Sequence, residues 1–259
     1  MPARPLIVFG RGRLGRSLAK ALDARLLAGR QATPDQAPAG ALVFLAVPDP
    51  AVPALAEKIA PAGAKLVHVS GALTLDALAP AERRGAFHPY QSFPAERPPG
   101  HFRGAVIGVD AADRDLLEEL KALAEVIGGR PRVVTDEQRP LYHASAVFAS
   151  NYVVALGHVA ARVLEAAGWP RQEALQGVVP LLAGVARNLE ELGLEGSLIG
   201  PIRRGDPATL RRHLQALSNA GLDSEVQLYR KLGLAALDLA LEAGLDPEKA
   251  GQINTALTE

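Results

Sequence analysis

Apolar residues in the first half of the chain come in short runs, with stretches of helical spacing between them. Leu6-Ile-Val-Phe9 is one such run, closed by Gly10, and behind it Leu14, Leu18, Ala21 and Leu22 share a helical stripe. This pattern predicts strand, turn and helix. The next runs are Arg25-Leu-Leu-Ala28, Ala41 to Val47, Lys65-Leu-Val-His-Val69 and Ala86-Phe-His88, with helical patterns at Ala51 to Ala60 and Leu73 to Arg84. The connection between the second and third runs contains proline and is too short for a well-formed helix. Val106-Ile107 and Arg132-Val-Val134 flank a further helix from Asp113 to Ile127, and the proline-rich segment from Tyr90 to Phe102 reads as loop. Strands alternating with crossovers imply a mostly parallel sheet. The runs at 41–47 and 65–69, apolar on both faces, imply helices on each side of it.

After Asp136 the chain reads as all helix. One long helical stretch runs from Leu141 to Ala167, stopped by Gly168 and Pro170. Gln172 to Leu192 and Val226 to Ala243 follow as amphipathic stretches, and Asp206-Pro207 gives an N-cap and first position for Ala208 to Leu217. The fold class is therefore α/β, a Rossmann-type mostly parallel sheet with a C-terminal all-α domain. The domains expected are 1–135 for the nucleotide and 136–259 for substrate and dimerisation.

Composition narrows the function. The formal net charge is zero, which removes the electrostatic attraction that dominates nonspecific nucleic-acid binding. No nucleic-acid partner is expected. The opening residues lack a signal-peptide pattern and no uninterrupted apolar run approaches the ~20 residues that span a bilayer, so a soluble, cytoplasmic protein without a membrane partner is expected. Cysteine is absent, which excludes disulfides, thiolate nucleophiles and Cys-ligated metal. The six histidines show no H-x-x-x-H spacing, and no metal is expected.

Gly10-Arg-Gly12-Arg-Leu-Gly15 fits G-x-G-x-x-G at a strand-to-helix turn. Gly10 suits the tight turn, Gly12 lets the backbone approach a pyrophosphate, and Gly15 permits close helix packing, with Arg11, Arg13 and Leu14 completing the loop. The free N–H groups of the helix start hold the anion. An acid at the end of the second strand would read an NAD ribose; here Gly29-Arg30 stands there. An arginine suits a 2′-phosphate, so NADP is the cofactor expected, although Arg30 as a solvated surface residue is the plainer alternative. Val47-Pro48-Asp49, Ser70-Gly71 and His88-Pro89 fall at the carboxyl ends of strands, where open α/β sheets bind ligands.

Seven stretches together resemble a bacterial group of Rossmann-like proteins whose helical C-terminal half has no assigned function. They are Gly10 to Gly15, Phe44 to Asp49, His68 to Ala72, His88-Pro89 with Gln91 to Phe93, Leu141 to Ala144, Ala149 to Tyr152, and Gly200 to Asp206. The group resembles pyrroline-5-carboxylate reductases, 6-phosphogluconate dehydrogenases and 3-hydroxyacid dehydrogenases. The resemblance implies an NAD(P) domain, a helical domain that often forms the dimer, and a cleft between them. It supplies no substrate. In the wider clan a lysine stands one helical turn before an asparagine on the interdomain helix. Asn151 matches the asparagine, but Val147 replaces the lysine.

His143, eight residues before Asn151 and on the same side of a continuous helix, is the candidate acid or base, with His88 in reserve. A core histidine bonded by Tyr142 or main chain is the competing reading. Asn151 is expected to be buried and bonded, by neighbouring backbone or by a ligand. Arg203, Arg204 and His213 are candidates for an anionic group on a small-molecule substrate. These features point to an NADP-dependent oxidoreductase acting on a small carbonyl, hydroxyl or imine compound. A non-catalytic NADP sensor or scaffold, and a nucleotide-binding transferase, are the alternatives. The apolar surface of Ala144 to Leu156 and Gln172 to Leu192 predicts a homodimer through the helical domain.

Overall fold

In β1 (Leu6–Phe9) and β3 (Leu42–Leu45) side chains alternate between two layers of core. Ile7, Phe9, Val43 and Leu45 pack with Val52, Leu55 and Ile59 of α2 (Val52–Ile59). Val8, Leu42 and Phe44 pack with Leu18 and Leu22 of α1 (Arg13–Leu22) and with Leu116 and Leu120 of α3 (Arg114–Val126). Strands with side chains on alternate faces and helices over both need apolar residues at every position, which is why these runs show no polar alternation.

The computed structural model describes residues 5–29 and 32–259. Its sheet has seven strands in the order β2-β1-β3-β4-β5-β6-β7. The remaining strands are β2 (Arg25–Leu27), β4 (Lys65–His68), β5 (Arg84–Pro89), β6 (Val106–Ala111) and β7 (Arg130–Val133). All neighbours are parallel except β5 and β6, which pair antiparallel with His88 opposite Gly108. The order reverses between β1 and β3, leaving a crevice at their carboxyl ends. One expected helix is missing. From Leu73 to Arg84 the chain forms only a single 3-10 turn, Leu75–Leu78, before Ala79 and Pro80, because a proline so soon after the first turn leaves no run of N–H donors to propagate a helix.

By internal contacts the chain divides into two units, Met1–Ser150 and Asn151–Glu259. The sequence division fell after Thr135, but α4 (Arg139–Ala149) packs with the sheet unit. Its first residue, Arg139, is fully buried there, donating to the Val134 carbonyl at 3.1 Å and lying 3.4 Å from Asp110 and 3.3 Å from Asp136.

The long helix predicted from Leu141 to Ala167 is two helices, α4 and α5 (Asn151–Ala166). They break at Ser150, whose backbone lies at φ −129°, ψ −74° and whose hydroxyl donates to the Ala146 carbonyl at 2.6 Å. A serine that bonds back to the preceding turn offers the chain an alternative to continuing the helix. Read straight through, Arg139–Ala166 is 28 residues long with a most apolar window of mean hydropathy 1.4, enough to cross a membrane by length and composition alone. The sequence reading weighed uninterrupted apolar runs, and His143, Ser145, Ser150 and Asn151 interrupt this segment.

In the second unit α5 packs on α6 (Arg171–Ser197), which kinks at Gly193, where φ is +69°. Only Ala161, Ala174 and Val178 form the buried centre of that pair. The rest of the unit comprises α7 (Pro201–Arg204), α8 (Pro207–Asn219), α9 (Asp223–Glu242) and α10 (Pro247–Thr258). Leu210, Leu237, Ile253 and Leu257 build their core. Asp206 caps α8 as expected, accepting from the Thr209 N–H at 3.1 Å. Sequence reading passed over α10, although Asp246-Pro247 repeats the Asp206-Pro207 start signal.

Candidate active site

The glycine loop after β1 has the backbone its spacing implies. Gly10 sits at φ +127°, a conformation open in practice only to glycine, and a Cβ on it would lie 2.0 Å from the Ala46 carbonyl oxygen. A Cβ on Gly15 would lie 2.0 Å from the Gly10 carbonyl oxygen, so α1 presses against the turn. Gly12 is different: its φ of −70° suits any residue, and nothing lies within 4 Å of where its Cβ would be. That open space lies at the start of α1, whose first turn has no acidic residue and whose N-cap has no side-chain hydrogen bond. Unpaired N–H groups and the positive end of the helix dipole face it.

Around the loop lies a cleft of about 430 Å³ lined by Gly10, Arg11, Gly12, Gly29, Val47 and Pro48, with Ala28 and Ala46. Its walls are the ends of β1, β2 and β3, at the reversal of strand order. A Cβ on Gly29 would meet Val47 at 2.5 Å, so a side chain there would intrude on the wall. Arg11 and Arg13 are exposed beside the loop, and Arg16 donates to the Arg11 carbonyl at 2.9 Å. Leu14 is half-buried against the sheet core. Arg30 lies outside the described residues. Glycines that would clash if substituted, an open space at a helix start and flanking arginines together fit a dinucleotide pyrophosphate.

Next to this cleft, the ends of β3 and β4 are tied together. The Ser70 hydroxyl donates to Asp49 at 2.8 Å and accepts from the Ala72 and Leu73 N–H groups at 3.1 and 3.2 Å. Asp49 and Ser70 thus fix the loop that carries Gly71. Against Gly71 stand two imidazoles: a Cβ on it would lie 2.7 Å from Nδ1 of His143 and 2.9 Å from Nε2 of His88. The structure therefore brings together His143 of α4, His88 of β5 and Gly71, distant in sequence.

His88 Nδ1 lies 2.9 Å from the Tyr142 hydroxyl, and that hydroxyl donates to the His88 carbonyl at 3.2 Å. Burial, then repulsion from His143 and Arg139, lowers His88 to about 4. Burial likewise raises Tyr142 to about 12, so the phenol keeps its proton. His68, at the end of β4, is fully buried and held near 3 by burial, then by Arg139 and His88. Both imidazoles are neutral at neutral pH. His143 Nδ1 is buried with no hydrogen-bond partner among the described residues. Tyr142 thus bonds His88, not its neighbour His143. Sequence reasoning named Tyr142 only as a partner for His143 and missed the buried roles of His68 and Arg139, since burial and partnership across the sheet leave no local signal.

Two expectations are corrected. Asn151 is exposed in the single chain rather than buried. Its spacing from His143 assumed one continuous helix, and the break at Ser150 removes that register. In the second unit Arg203 donates to the Ala243 carbonyl at 2.9 Å and His213 Nδ1 lies 2.8 Å from the Tyr229 hydroxyl. Among the described residues no group of three or more His, Asp or Glu is placed to hold a metal.

Comparison with known proteins agrees with this fold. The profile of a Rossmann-like domain matches residues 7–91, and that of a domain of unknown function (DUF2520) matches residues 105–236. No curated protein sequence matches. The crystal structure of protein TM1727 from Thermotoga maritima is similar over 92% of this chain and 98% of its own, with 28% identity and a TM-score of 0.76. A Bacteroides fragilis protein described provisionally as an NADP oxidoreductase is 23% identical, covers 91% and 98%, and has a TM-score of 0.72. The Plasmodium falciparum pyrroline carboxylate reductase with NADP bound is 10% identical, covers 99% and 100%, and has a TM-score of 0.59. The last two likenesses establish a shared fold.

Proposed function

The chain belongs to the DUF2520 family, and we propose that it is an NADP-dependent oxidoreductase acting on a small carbonyl, hydroxyl or imine compound. One observation carries the reading: a glycine cradle with open space at Gly12 lies in the same unit as the His88, His143 and Gly71 cluster, both at the carboxyl ends of the strands. Gly10, Gly12 and Gly15 would hold the pyrophosphate, and Arg11, Arg13 and Arg30 its phosphate charge. When bound, the dinucleotide supplies or accepts hydride. The chain's own part is to orient the substrate and to hold or accept its proton, with His143 the first candidate for that role and His88 the second.

The resemblance of fold to an NADP-bound reductase supports the cofactor class, and Arg30 in place of an acid supports NADP over NAD. A homodimer through the helical unit is part of the proposal. Val154 on α5 and Leu181 on α6 are 75% and 70% exposed, and Leu192 and Leu194 join them. Apolar surface of that extent on neighbouring helices is what a partner covers. Val147 at the lysine position favours a second reading, an NADP sensor without turnover. Titration with NADPH, followed by loss of nicotinamide absorbance against a panel of oxo acids and imines, tests both. Tight binding without turnover leaves the sensor, and no binding removes both.

A further inference from the structure

The proton of neutral His88 has one position that satisfies every contact around it. The Tyr142 hydroxyl has a single hydrogen and two neighbours on the same residue, the His88 carbonyl oxygen at 3.2 Å and His88 Nδ1 at 2.9 Å. The carbonyl can only accept. If the hydroxyl hydrogen points to the carbonyl, Nδ1 must carry a hydrogen and donate to the phenol oxygen, and both contacts are bonds. If it points to Nδ1 instead, the phenol oxygen faces the carbonyl with lone pair against lone pair.

We infer that Tyr142 is a positioning residue that holds the His88 proton on Nδ1, leaving Nε2 a bare acceptor beside Gly71 for a proton-donating group of the ligand. Nε2 of His88 then recognises the hydroxyl or amine form of a redox pair. At that nitrogen a carbonyl or neutral imine lone pair finds no donor. This rests on the oxidoreductase reading and names the side of the reaction that His88 recognises.

The surroundings hold this state. The groups facing His88 are His68 from β4, Tyr142, His143 and Arg139 from α4, and none is an anion that would favour a second proton on the ring. Gly71 keeps the approach to Nε2 clear, since a methyl group there would stand 2.9 Å from it.

Side-chain nitrogen NMR of the histidine-labelled, cofactor-free protein at neutral pH tests the inference, with the His88 signals identified by their loss in His88→Gln. The expected spectrum has a protonated Nδ1 and an unprotonated Nε2. In Tyr142→Phe, which keeps the ring and removes the hydroxyl, the proton is expected to move to Nε2. A wild-type His88 protonated on Nε2 overturns the inference, as does a Tyr142→Phe spectrum unchanged from wild type. If the variant does not fold, the wild-type spectrum decides alone. NADPH titration of the same samples reports separately on the cofactor reading, because neither His88 nor Tyr142 lines the glycine cleft.

Discussion

Nδ1 of His88 and the hydroxyl of Tyr142 meet at 2.9 Å across 54 positions of sequence, joining β5 to α4. That contact decides which nitrogen of His88 is available, and His88 Nε2 and His143 Nδ1 both approach the space beside Gly71.

Gly12→Ala should fold normally and bind NADPH at least roughly tenfold more weakly, about 1.4 kcal/mol, because the added methyl meets no protein atom but occupies the space for the pyrophosphate. Gly15→Ala should lose thermal stability as well, since its Cβ would fall 2.0 Å from the Gly10 carbonyl oxygen. Melting curves beside NADPH titrations separate the two. Equal affinity in Gly12→Ala and wild type would remove the cleft as a nucleotide site.

Arg30→Asp should reverse or abolish a preference for NADPH over NADH. Loss of one charge-assisted contact to a 2′-phosphate costs about 1.5 to 3 kcal/mol. Wild-type protein that binds both cofactors equally contradicts the assignment.

Once a substrate is found, His143→Ala should reduce turnover by ~10² to 10⁴ with NADPH affinity nearly unchanged, the usual range for a general acid or base. The pH profiles of His143→Ala and His88→Ala then identify the residue responsible. An acid limb lost only in His88→Ala assigns the proton to His88, and unchanged turnover in both variants rules out histidine catalysis.

Stability should fall as pH drops from 7 to 5. His68 and His88, lowered to about 3 and about 4 from the usual 6.5, stay neutral in the fold while the unfolded chain takes up protons near pH 6.5. The unfolded state binds more protons throughout that window, so acid favours it, by on the order of a few kcal/mol for the two together. Melting temperatures at pH 7 and 5 measure the slope. His68→Gln should flatten it, and a flat wild-type profile would show that these rings are not buried in the neutral form.

Light scattering at micromolar concentration should give a dimer, and Leu181→Asp, which sets a charge on the exposed face of α6, should shift it toward monomer. A wild-type monomer would leave that face unexplained.

Much of this protein was legible in its residues because the constraints are local. The turn at Gly10, the start of α1, the doubly covered strands and the Asp206 cap each follow from a few neighbouring positions whose backbone geometry or periodicity admits little else. Two local readings failed for a stated reason: Pro80 cut short the helix read at Leu73 to Arg84, and Ser150 divided the one read at Leu141 to Ala167. The chemistry of the histidines was not legible. His68, His88 and His143 look alike as letters, and their differences come from strand pairing and from the docking of α4, which bury two rings, aim Tyr142 at one of them and bring His88 and His143 together beside Gly71. An imidazole's proton affinity depends on the water it loses and the charges it faces. Only the tertiary structure decides either.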